Sequence, residues 1–190
     1  MSNADSSQEA NQTTEYRTEI DAAANGVLDD GLRQVFDHWN DIRGNAFAPP
    51  WPAFDWMQVP ANLIPHCAVA DVQRDPLDFI YRFWGTGRTV MQGADYTGRS
   101  LSTFEPYAIA EKAFAEYAAM LERKTALRIM TIGLKNFRSE RSDYEFLRLP
   151  FSDDGEEIHQ VLAVGAYNPE VMKSTLDFYG IRPVPGRVVG

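Results

Sequence analysis

Bulky apolar residues are almost absent before residue 28 and then return at helical spacing. Leu32, Val35, Phe36, Trp39 and Ile42 form one apolar stripe, while Arg33, Asp37, Asp41 and Arg43 fall mostly on the opposite side. Asp29 or Asp30 can cap free N–H groups at the start of this helix, and Gly44 supplies a stop. A stripe of this length must cover something, either its own domain or a second copy of the chain. The next stretch, Ala48-Pro49-Pro50-Trp51-Pro52, is stiff and extended.

Beyond it the period shortens to that of strands. Residues 67–74 and 79–84 read as a hairpin closed at Asp75-Pro76, and the second strand carries large apolar groups on both faces. A sheet covered on both sides is implied, with the first helix over one face. Residues 86–92 and 96–105 are glycine-punctuated and read as small helices and turns. A longer helix follows over 106–124, with Pro106 in its first turn. Three strands are predicted over 126–134, 144–151 and 157–167, the last two joined by Ser152-Asp153-Asp154-Gly155-Glu156. A short helix capped by Asn168 precedes a loose Pro-rich end. The expected units are a polar, disordered tail over 1–27, a helix and connector over 28–53, a compact domain over 54–168, and a short helix and tail over 169–190. The class is α+β, a five-stranded antiparallel sheet with helices on one face and an N-terminal amphipathic helix.

Two glycine-containing segments sharpen this. Phe79-Ile80-Tyr81-Arg82-Phe83-Trp84-Gly85-Thr86 and Gly93-Ala94-Asp95-Tyr96-Thr97-Gly98-Arg99-Ser100-Leu101 resemble a compact bacterial branch of the PAS family of sensor domains. Trp39 and Arg43 upstream, and Leu149-Pro150-Phe151 downstream, resemble it too, so the likeness covers about residues 30–168. It implies the PAS fold and a sensory or adaptor role, not a particular ligand. Physically, Gly85 lets the strand turn, Gly93 and Gly98 suit conformations closed to residues with a Cβ, and Asp95 and Thr97 can tie a turn. Arg82 has two readings, a pair with an acid such as Asp71 or a contact to an anionic ligand.

Composition fits an ordinary soluble globular protein, with 190 residues, 44% hydrophobic and 24% charged. The net charge of −9 argues against a dedicated nucleic-acid binder, and residues 1–53 hold most of it, with 9 acids against 3 bases. No apolar run approaches the roughly 18 residues that cross a bilayer, and no signal-peptide plan opens the chain, so a cytoplasmic location without membrane attachment is expected. A single cysteine, Cys67, excludes an intrachain disulfide and reads as a small buried hydrophobe.

Little in the sequence points to catalysis. A haem-binding PAS domain usually offers a histidine from the long-helix region, whereas His38, His66 and His159 lie elsewhere. The reactive-cysteine motif of flavin photosensors of this fold is absent around Cys67. The acidic run 153–157 lacks the alternating ligands of a calcium loop. No cofactor, metal or catalytic residue is therefore expected, and the chain reads as a non-enzyme. Arg123, Lys124, Arg128, Lys135, Arg138 and Arg141 crowd one window with a single acid, Glu140; the last four read as an exposed charged hairpin or as a patch for an anionic partner. The leading expectation is a PAS-like adaptor that takes a small molecule or a signalling protein and acts by association. Trp84, Met91, Phe104, Tyr107, Tyr117 and Met130 are its candidate pocket lining. Leu32, Val35, Phe36, Trp39 and Ile42 are its candidate homodimer interface. A small cone-fold enzyme with a buried acid beside His66 or His159, or a ligand-free dimerisation scaffold, are the rival readings.

Overall fold

The computed structural model of the chain describes residues 17–21, 26, 29–104, 107–135 and 141–178. Helix α1 (Asp30–Arg43) starts where Asp29 turns its carboxylate back to accept from the Leu32 N–H at 2.9 Å, and ends at Gly44, whose φ of 56° suits glycine. Three single-turn 3₁₀ segments follow at Trp51–Ala53, Trp56–Gln58 and Ile64–His66. The sheet comprises β1 (Arg17–Asp21), β2 (Cys67–Arg74), β3 (Leu77–Trp84), β4 (Leu127–Lys135), β5 (Arg141–Phe151) and β6 (Gln160–Ala166). Between β3 and β4 run α2 (Thr86–Gln92), a turn at Leu101–Thr103 and α3 (Tyr107–Arg123); α4 (Pro169–Phe178) closes the described chain. All pairings are antiparallel, in the order β1-β4-β5-β6-β2-β3.

The five strands β2 to β6 are the expected five, within three residues at each end. β1 is an addition and corrects part of the 1–27 tail: residues 17–21 pair with Arg128–Ile132 through main-chain bonds, which do not require bulky side chains. Residues 1–16 lie outside the described residues.

Both faces of the sheet are covered. On one, Leu32, Val35, Phe36 and Trp39 of α1 pack with Val69, Leu147, Leu149, Phe151 and Leu162, and Ile42 packs at the margin. Trp39 also donates its indole N–H to the Pro150 carbonyl at 2.8 Å. The stripe expected to form a homodimer interface is thus used within the chain, with Leu32 and Val35 fully buried and Trp39 3% exposed. The segment after α1 belongs to this core as well: Ala48 of the connector and Phe54, Val59 and Leu63 beyond it are buried in it.

The other face lies under α2, the 101–103 turn and α3. One extra residue in β3, Arg82, separates the pairs Val69↔Phe83 and Ala70↔Tyr81, which turns Phe79, Tyr81 and Trp84 all to this face. Gly93 and Gly98, at φ 73° and 77°, hold the left-handed conformations expected of them, and Asp95 accepts from the Thr97 N–H at 2.8 Å. Gly85 has an ordinary φ of −68°; what requires glycine there is the Pro65 carbonyl, 2.2 Å from where a Cβ would stand.

Candidate functional site

Trp84 ends β3 and α2 begins two residues later, so Trp84 and Arg88 stand four residues apart across a sharp corner. Arg88 runs inward along the sheet with its guanidinium 5.4 Å from the Trp84 ring and 5.4 Å from the Phe146 ring of β5. Its Nε donates to the His66 carbonyl at 2.9 Å and one Nη to the Ala163 carbonyl at 3.4 Å. It is 5% exposed, and among the described residues no carboxylate forms an ion pair with it.

A second buried guanidinium shares the Phe146 ring. Arg148, two residues along β5 on the same face, lies 5.9 Å from Phe146 and 4.7 Å from the Tyr117 ring. It donates to Glu116 on α3 at 2.8 Å and to the Tyr117 hydroxyl at 3.4 Å. Burial works against its charge, but Tyr117, Glu116 and Tyr81 outweigh burial and raise its pKa above the ordinary guanidinium value. Tyr81 is pushed well above the usual phenol range by burial and by Tyr117, against the pull of Arg148 and Arg88. One arginine of this site is therefore neutralised by an acid and the other is not.

Aromatic rings close the site. Trp84 meets Tyr81, Tyr96 and Phe104 at 4.7, 5.2 and 5.7 Å, and Tyr96 stacks on Phe104 at 4.2 Å. Tyr167, at the exit of β6, stacks on His66 at 4.4 Å and meets Phe146 at 5.4 Å. Burial lowers the His66 pKa, the Gly165 carbonyl partly offsets this, and the Arg88 charge lowers it further. Around this ring of residues the Trp84 Nε1, the His66 Nδ1, the Tyr167 hydroxyl, the Arg148 Nε and the Gln92 Oε1 are buried without a hydrogen-bond partner.

Of the six residues expected to line a pocket, Trp84, Phe104 and Tyr117 are brought together here, and Met91 is buried on α2. Two are misplaced. Tyr107 is 70% exposed, because it opens α3 on the solvent side. Met130 is half-buried on the α1 face, since it alternates with Leu127 and Ile129 along β4 and pairs with Glu145, whose carboxylate accepts from the Asp29 N–H. Sequence reasoning missed Arg88, Arg148 and Glu116. A signal existed for Arg88: residues 79–94 contain two arginines and no acid.

The remaining expectations resolve simply. Arg82 pairs with Asp71 at 2.7 Å on the partly exposed side of the hairpin. Arg128 is matched by Glu145 with both side chains largely buried, so it is no part of an exposed patch, and Arg138 lies outside the described residues. His159 stands 3.5 Å from Asp154 in the exposed 152–157 turn, not beside a buried acid. Cys67 is fully buried and its thiol is pushed up to about 12 by burial, with Arg88 pulling the other way. Among the described residues no cluster of His, Cys, Asp or Glu suits a metal ion, and no helix is long and apolar enough to cross a membrane. A separate open groove of about 290 Å³ lies beyond the C-terminal end of α1, between Trp39, Arg43, Phe47 and Lys124.

No family model matches the chain, and no curated protein matches it. Similar solved structures include the PAS domain of a protein from Colwellia psychrerythraea, at 12% identity and a TM-score of 0.35, over 55% of this chain and 88% of that one. A fungal LOV domain photoreceptor is similar at 14% identity and 0.36, over 63% and 83%. An RNA-binding light-oxygen-voltage receptor is similar at 11% identity and 0.35, over 88% and 43%. The assignment rests on the order of elements: two strands, short helices, a long helix and three strands, closed into one antiparallel sheet. The fold is PAS-like. In this PAS-like domain the Arg88 site lies between the sheet and the helical layer inserted between β3 and β4, with α4 leaving directly past it through Tyr167.

Proposed function

We propose that the chain is a sensory or adaptor domain that takes a small molecule between its sheet and the α2–α3 layer and acts by association with a protein partner. The observation that carries this reading is the group of buried, unpartnered polar atoms around Arg88. Buried polar groups are nearly always hydrogen-bonded, and leaving one unpaired costs roughly 1–3 kcal/mol. Several around one guanidinium form a set that a bound molecule would complete. Aromatic surroundings with a few convergent polar groups are the lining that small ligands favour.

The route outward is short. Tyr167 stacks on His66, whose carbonyl holds Arg88, and Tyr167 leads into α4, which packs on α2. A ligand that reorders this corner would alter how α4 is held, and α4 is then the element presented to a signalling protein or a second copy. Binding rather than catalysis is the reading proposed, since the imidazole of this corner, His66, stacks on the Tyr167 ring and forms no ion pair with a carboxylate among the described residues.

Native mass spectrometry of the protein from its natural host tests the proposal. A bound small molecule released on denaturation, and absent when Trp84→Ala is purified in parallel, is the expected result. Bare wild-type protein that also gains no thermal stability from any metabolite fraction of the host would contradict it.

A further inference from the structure

We infer that the molecule taken by this site is a small organic monoanion, its carboxylate held by the outer edge of the Arg88 guanidinium. This rests on the ligand-binding reading above and adds the charge of the ligand. Among the described residues the buried side chains on this face that carry a charge near neutral pH are Arg88, Arg148 and Glu116, and Glu116 is bonded to Arg148. One positive charge is left over. An arginine cannot shed its proton as a buried lysine or histidine can, so the charge persists and calls for a counter-ion. Water can complete hydrogen bonds here, but it does not neutralise the charge.

The Arg88 Nε and one Nη face main-chain carbonyls, while the other Nη has no hydrogen bond among the described residues, and two rings flank the planar group. The outer edge is therefore the open one, and a planar fork matches a carboxylate in two parallel hydrogen bonds. The Trp84 Nε1 and the Arg148 Nε are donors only, the Tyr167 hydroxyl and the His66 Nδ1 can each donate or accept, and the Gln92 Oε1 alone of the five is an acceptor only. A site short of acceptors suits an acceptor-rich ligand. A single excess charge suits a monoanion, and the rings of Trp84, Phe104 and Phe146 suit an apolar body.

The test is thermal shift and calorimetric titration of the full chain with formate, acetate and benzoate, each paired with its neutral amide, at ionic strength held constant with chloride. At least one carboxylate should bind, its amide should bind at least tenfold more weakly, and Arg88→Gln should weaken the carboxylate by about 10- to 100-fold, the worth of a charged hydrogen bond. Arg88→Lys keeps the charge without the fork and should fall between the two. Should Arg88→Gln fail to fold, Arg88→Lys together with the acid-to-amide ratio in the wild type decides. Equal binding of amide and acid, or carboxylate binding untouched in both variants, would overturn the anion inference and leave the ligand-binding reading standing. No carboxylate binding, together with a neutral molecule found by native mass spectrometry, would overturn it in the same way. No binding and no copurifying molecule would remove both.

Discussion

Replacing Glu116 by Gln keeps the side-chain shape and one acceptor oxygen while deleting the charge, and so turns Arg148 into a second uncompensated guanidinium. Both partners are nearly buried, at 6% and 8% exposed, and their bond is 2.8 Å. Breaking a buried pair from one side costs about 3–5 kcal/mol, and the retained acceptor places this substitution near 3 kcal/mol. For a domain of about 150 residues each kcal/mol moves the melting midpoint by about 2–4 °C, so a fall of about 6–12 °C is expected. Urea unfolding followed by tryptophan fluorescence should show a lower midpoint with an unchanged slope. The double variant Glu116→Leu with Arg148→Met should recover most of the loss, because well-packed apolar groups replace a buried pair at little or no cost. A loss under about 1 kcal/mol, the level of an exposed pair, would show that this face is wet. It would refute the charge reasoning for Arg148 and Arg88 alike.

Trp39→Ala should lower stability by about 3–5 kcal/mol without a change of oligomeric state; a folded variant of unchanged stability but smaller sedimenting mass would restore the stripe as an interface. Cys67 should resist thiol reagents in the native protein and react fully in denaturant, and rapid native labelling at pH 8 would contradict its burial. His66 should titrate below the ordinary 6.5 because burial, first, and the Arg88 charge disfavour its protonated form, and Arg88→Gln should raise the value. Its linkage has one sign: as pH falls from 6.5 toward the folded value the unfolded chain takes up a proton that the folded chain resists, so stability falls over that window. An imidazole NMR titration at or above 6.5, or one unmoved by the substitution, would contradict this.

Periodicity and punctuation made most of the fold legible. Asp29 and Gly44 bracket α1 because capping is local chemistry, and the Gly93 and Gly98 turns follow from the same short-range rules. β1 was not legible, since five polar-flanked residues paired by main-chain bonds leave little trace in side-chain pattern. The α1 stripe was readable as a stripe, but its partner was not: covering the same chain's sheet and covering another copy require the same residues. The expected pocket lining divides in the same way. Trp84, Phe104 and Tyr117 share a face because strand bulge and helix placement bring them together, while Met130 fell on the wrong face through a single step of strand alternation. Arg88 was hidden for a different reason. Its importance lies in the lack of an acid nearby in space, and a sequence shows only the lack of one nearby in the chain.

The central claim is that a ligand reaches the Trp84–Arg88 corner through charge. The chain has four tryptophans, Trp39, Trp51, Trp56 and Trp84, so its indole N–H resonances form a four-peak spectrum in ¹⁵N-labelled protein. Trp39 is already bonded to the Pro150 carbonyl on the opposite face and serves as an internal control. On titration with the carboxylate that binds best, the Trp84 indole peak should move and saturate while the Trp39 peak stays in place, and Arg88→Gln should abolish the movement. A Trp84 peak that never moves, or one that moves equally for the neutral amide, would contradict the claim.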